Sequence, residues 1–175
     1  MKNPYLKISA ALAGLTLTYF IVEEINLQNA ISTARSIADY VSLQHAISAD
    51  SSPINPRIHT YPINIDSVQY VVILAQPTDK SPLELHLETG VNKEKATRYI
   101  DLGADGLLDS VEELTLAKLT PRSDGGSIME YSSKFIPMKK EYTKSYHSEL
   151  LKIKRVLKKM QSLQTTNTNS RARYI

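Results

Sequence analysis

Apolar residues recur along this chain with two different periods. Ile25, Ile31, Ala34, Ile37, Ala38, Val41 and Ala46 fall at helical spacing, with Arg35, Asp39 and Gln44 between them. That pattern predicts a helix with one apolar face. It should end near Ser48 to Ser52, ahead of Pro53 and Pro56, because a residue before proline is pushed out of the α region. Upstream, residues 8–22 carry no charge, so residues 8 to about 48 read as one long helix. Residues 50–66 hold three prolines and several Asn, Asp and Ser and read as a loop or linker.

The period then changes to two. Val68, Tyr70, Val72 and Leu74 alternate with Gln69, Val71 and Ile73, a strand with apolar groups on both faces. Residues 76–82 form a turn segment. Leu83, Leu85 and Leu87 alternate strictly with Glu84, His86 and Glu88, the clearest half-buried strand of the chain. Residues 96–102 make a third. Residues 110–119 support two readings. Asp109 and Glu112 fit a helix capping box, whereas Leu114 and Leu116 fit a short strand completing a hairpin with 96–102. The strand is preferred. Asp124-Gly125-Gly126 reads as a turn.

Over residues 137–163, Tyr142, Tyr146, Leu150, Ile153, Leu157, Met160 and Leu163 form a heptad-like stripe among many lysines. Three heptads are few for a coiled coil, so docking on the domain's own sheet is its expected use. Residues 164–175 are polar and expected to be disordered. The expected fold is α+β, with a long N-terminal helix, a small antiparallel sheet of three to four strands and a C-terminal amphipathic helix. The expected division is an apolar export or anchor segment (1–24), a single α+β domain (25–163) and a polar tail (164–175).

Composition refines this picture. The 175 residues include ten Tyr, two Phe and no Trp, so the core must rest on Ile, Leu and Val. The absence of Cys excludes disulfides, thiolate zinc sites and cysteine nucleophiles. From Lys134 onward there are eleven Lys/Arg and two Asp/Glu, against ten and sixteen before it. A basic end on an acidic body can bind a polyanion, anionic lipid, a protein partner or its own domain, and a solvated helix face is the plainer reading of it. Lys2 and Lys7 precede the uncharged run 8–22, and Glu23-Glu24 follow it. This is the pattern of an export signal or uncleaved anchor. It would hold the N-terminus inside and send the remainder across a membrane.

One constellation carries candidate chemistry. Asp101, Asp105, Asp109 and Glu112 fall at positions 1, 5, 9 and 12 of a short loop, with Gly106 at 6 and Leu107 at 7. A glycine at 6 can take the positive φ of a sharp turn, and Leu108 at 8 can anchor the loop to a core. The segment resembles the calcium loops of EF-hands, dockerins and integrin-type repeats, with their Asp-x-Asp/Asn-x-Asp-Gly-x-x-Asp core. The resemblance covers about twelve residues. It implies a Ca²⁺ site built from the side chains of Asp101, Asp105, Asp109 and Glu112 and the carbonyl of Leu107. Gly103 departs from the pattern at position 3 and removes one ligand. A strand–loop–strand setting, as in the integrin-type repeats, suits the flanking residues. Without a metal the same residues make an Asp-Gly hairpin turn.

His45, His59, His86 and His147 are scattered, and His86 and Glu88 share a strand face. The chain carries no Gly-x-Ser-x-Gly turn, no phosphate loop and no dinucleotide fingerprint. The tyrosines of the basic segment belong to its apolar stripe, which argues against nucleic acid. Two non-enzymatic classes follow, with an enzyme of unfamiliar site, which no constellation supports, as a third. One is a non-enzymatic, membrane-anchored or exported structural or adhesive domain, facing outward. The other is a soluble interaction module that binds a polyanion or partner helix through its basic C-terminal helix. A pilin shares the plan of a half-apolar N-terminal helix followed by antiparallel sheet. This chain lacks the Gly cleavage site before the run and the Glu near its start.

Overall fold

The computed structural model describes residues 24–43, 58–78, 80–123 and 125–171, with side chains through Ser162. Residues 24–43 form helix α1. Six strands follow: β1 (Ile58–Ile65), β2 (Val68–Ala75), β3 (Glu84–Thr89), β4 (Lys95–Leu102), β5 (Ser110–Pro121) and β6 (Ser127–Ile136). Helix α2 (Lys140–Arg171) closes the chain. The strands form one antiparallel sheet in sequence order, each paired with the next.

The two helices and the antiparallel sheet agree with expectation, but the strand number does not: the described residues form six strands, not three to four. The missed pair are the edges. β1 lies inside the stretch read as a linker. Its Pro62 pairs opposite Val71, and an edge strand tolerates proline because half of its N–H groups face away from the sheet. β6 is exposed over nearly its whole length, so no buried face imposes alternation on its sequence. β5 is also longer than foreseen, with an irregularity between Leu116 and Lys118.

The core lies between one face of the sheet and both helices. β2 contributes Tyr70, Val72 and Leu74, β3 contributes Leu85 and Leu87, and Tyr99 and Val111 extend the layer across β4 and β5. From α2, Tyr146, Leu150, Ile153 and Leu157 are buried. This is the predicted stripe, used internally. From α1, Ala30, Thr33, Ala34, Ile37, Ala38 and Val41 are buried. Its small residues let the helix lie close to its neighbours, while Tyr40 meets Tyr61 edge-on at 5.7 Å.

The helices run parallel. Gly106 abuts α1 at Ala30 and α2 at His147, whereas Thr33 meets Lys154 farther along both helices. α2 continues through Arg171, past the end predicted at residue 163. No helix among the described residues is long and apolar enough to cross a membrane. The uncharged run 8–22 lies outside the described residues.

Candidate functional site

The acidic segment is the loop between β4 and β5, and its carboxylates face inward onto the loop's own backbone. Asp101 ends its run on the helix-facing side of β4 and is 0% exposed. One of its oxygens accepts from the Asp105 amide at 3.0 Å. The other accepts from the Gly106 amide at 2.8 Å and the Tyr146 hydroxyl at 2.7 Å. Asp105 accepts from the Leu107 amide at 2.9 Å, and Asp109 from the Leu102 amide at 2.6 Å. These are charge-assisted bonds to amides that a bent loop cannot pair in a ladder.

Both helices clamp this loop. A Cβ at Gly106 would lie 2.5 Å from the backbone of Ala30 and Ile31. The carbonyl of Gly106 also lies 3.1 Å from His147 Nε2. The Gly103 amide donates to the Leu83 carbonyl at 2.7 Å, tying the loop to β3. Leu108 packs against the core, as position 8 of the resemblance implies. Burial pushes the Asp101 carboxyl above its ordinary range, against the opposing pull of its three donors. Burial, and then the neighbouring Asp101, push Tyr146 upward. Tyr146 therefore stays protonated and keeps donating.

The predicted ligand set does not close into one shell. Glu112 lies on the opposite face of the sheet from Asp101. There Arg98 joins it at 2.7 Å and Glu88 at 2.6 Å, across β3, β4 and β5. Asp101 already takes three donors, and Asp105 and Asp109 each hold one amide. Calcium needs six to eight oxygens turned to a common centre. As placed, these side chains are turned to amides, a hydroxyl and a guanidinium instead. Among the described residues no group of three His, Asp or Glu is poised to hold a metal ion.

Tyr146 and His147 complete the loop, and the spacing of the acidic segment does not reveal them. They lie 45 and 41 residues from their partners Asp101 and Gly106. Their only sequence signal is membership of, or adjacency to, the apolar stripe. His86 pairs with Glu84 at 3.0 Å, not with Glu88, which Arg98 has taken. At the far end of the sheet, a groove of about 480 Å³ is bordered by Tyr70, Thr89, Lys95, Glu113, Glu149 and Lys152. Its acids are engaged: Glu149 by Lys152 and the Tyr70 hydroxyl, both at 2.9 Å, and Glu113 by Lys95 at 3.5 Å.

Compared with known proteins, the chain matches no family model, no curated protein and no solved structure. Its reading therefore rests on its own geometry.

Proposed function

We propose that this chain is a non-catalytic structural or adhesive domain, held at a membrane by residues 8–22 and displayed on the outer side. The observation that carries the reading is the way α1 leaves the fold. Among the described residues its buried stripe begins at Ala30, and residues 24–29 are largely exposed. These exposed turns are the ones that adjoin the uncharged run 8–22 in sequence. Lys2 and Lys7 before that run and Glu23-Glu24 after it favour an outward-facing domain. The acidic loop supports the same class of role. Its carboxylates brace a hairpin between two helices, which is structural work, and calcium is not carried into this proposal.

Membrane fractionation tests the reading. The full chain should sediment with membranes and stay there after alkaline carbonate washing. Recovery as a soluble cytosolic protein would sink it.

A second reading, polyanion binding by α2, draws on its charge. No acid follows Glu149, while Lys152, Arg155, Lys158 and Lys159 are exposed. A complex of that kind should weaken steeply as salt rises.

A further inference from the structure

Both helices pack on one face of the sheet, and no helix among the described residues covers the other. Strand register decides what stands on that open face. One row runs Val71, Glu88, Arg98, Glu112 and Phe135. The next brings Ile73 and Ile100, and Leu102 stands beyond them, opposite Glu84. An antiparallel sheet that meets water on one face normally turns polar side chains that way. Here Phe135 is 65% exposed and Leu102 47%, and Val71 and Ile73 are half-buried. Apolar side chains grouped on an uncovered face mark an interaction surface.

The two outer faces of the fold carry opposite charge. From β1 to the irregularity in β5, register places Glu84, Glu88 and Glu112 on the open face and Arg98 as its one Lys or Arg. Arg98 reaches Glu88 at 2.6 Å and Glu112 at 2.7 Å, so a single guanidinium answers two carboxylates. With every acid ionised and His86 neutral, one Arg against three Glu leaves this face at −2. On the helix layer, α1 and α2 through Ser162 carry eight Lys or Arg against Glu24, Asp39, Glu141 and Glu149, a net of +4. The excess lies in the second half of α2, where no acid follows Glu149. Lys152, Arg155, Lys158 and Lys159 are exposed there, beside Leu151 at 42% and Met160 at 37%. Leu151, Arg155 and Lys158 recur at helical spacing on the side away from the buried stripe.

We infer that the chain associates with itself head to tail, the outer face of α2 in one copy lying on the open sheet face of the next. Charge and apolar content match across that contact, with lysines and Leu151 over carboxylates and Phe135. The two faces lie on opposite sides of one chain, so the contact is heterologous and can extend into stacks. Size sets its strength. Six strands span ~24 Å, and an eight-residue strand is ~26 Å long. Such a face offers roughly 600 Å² a side, at the low end for a specific interface. Single contacts are therefore weak, and association grows with concentration. The inference goes beyond the anchored reading and does not need it, since neither face includes residues 8–22.

Cross-linking between marked copies tests the contact. The chain has no native Cys, so Leu151→Cys and Phe135→Cys each react at one place only. The two full-length variants would be mixed in a non-ionic detergent and treated with a short bis-maleimide. Linked 151–135 pairs should exceed the 151–151 and 135–135 pairs formed by either variant alone. Their yield should rise with protein concentration and fall with salt. Adding Arg155→Glu and Lys158→Glu to the Leu151→Cys copy should lower the yield about tenfold. Adding Glu84→Lys and Ser133→Lys to the Phe135→Cys copy should then restore it, which also shows that both variants fold. All four residues lie outside the buried set. A dominant 151–151 or 135–135 product, or a loss that the second reversal does not restore, overturns the inference. So does linking that ignores salt and both reversals. A chain that sediments with membranes yet gives no linked pairs loses the stacking and keeps the anchor.

Discussion

Two hairpin loops of this sheet carry the sequence Asp-Gly, and their glycines have opposite surroundings. Asp105-Gly106 lies in the β4–β5 loop, where both helices press on it and a buried carboxylate gathers its amides. Gly125 lies in the β5–β6 loop, where a Cβ added to it would meet nothing within 4 Å. Both glycines have positive φ, 86° and 82°. The shared backbone requirement explains why each loop has its glycine. The difference shows what packing adds: the first loop is part of the core, and the second is only a turn.

Substitution separates the two contributions. Gly106→Ala should be the most damaging change. Left-handed strain of ~1–2 kcal/mol adds to an overlap with the α1 backbone of ~1–3 kcal/mol, and chemical denaturation would read the loss. Retention of wild-type stability would mean that α1 can shift away freely. Asp101→Asn comes next, at about 2 kcal/mol, because an amide turns one acceptor into a donor facing bound N–H groups. Unchanged stability there would show that the loop holds itself without the carboxylate.

Tyr146→Phe should lose about 1 kcal/mol at neutral pH, one hydroxyl donor to a buried carboxylate. It should also alter the alkaline limb. The folded pKa of Tyr146 is raised above its ordinary 10.0. Its protonated form thus favours the fold fully below pH 10.0, and that contribution is lost as pH rises further. Thermal melts through this range should fall less steeply in Tyr146→Phe than in the wild type. Tyr40 and Tyr70, pushed up to about 12 chiefly by burial, should sustain the remaining decline. Equal slopes would contradict the buried Tyr146–Asp101 bond.

Gly125→Ala should cost about 1 kcal/mol, the backbone strain alone. A loss as large as that at Gly106 would erase the contrast between the loops. The smallest effect concerns calcium. Melts with Ca²⁺ and with chelator should coincide, since a native-state ligand would raise Tm by mass action. A rise abolished by Asp105→Asn would restore the metal reading of this loop.

Much of this was legible in the sequence wherever one face is buried. Leu85 and Leu87 announce β3, and Tyr146, Leu150, Ile153 and Leu157 announce the docking face of α2. The edges were illegible for a physical reason. β6 buries neither face, so Ser132, Ser133 and Lys134 follow one another without penalty, and Pro62 masks β1. The loop was legible as a turn, because Asp-Gly and the spacing of its acids are local. Its partners were not, because Tyr146 and Ala30 meet it only after the chain has folded. Glu112 illustrates the same limit. Its place at position 12 is a fact of spacing, whereas strand register gives it to Arg98 on the other face.

The parallel pairing of α1 with α2 has a consequence for synthesis. Every strand finds its partner in the next stretch of chain, so the sheet can grow hairpin by hairpin as it emerges. α1 is made before all of them, yet Thr33 meets Lys154 across 121 residues. Of the described elements, the first to be made is therefore among the last to be covered. Its apolar stripe waits for nearly the whole chain, a long-range closure that local pairing cannot hasten. Truncation within α2 would leave α1 uncovered although the sheet had formed.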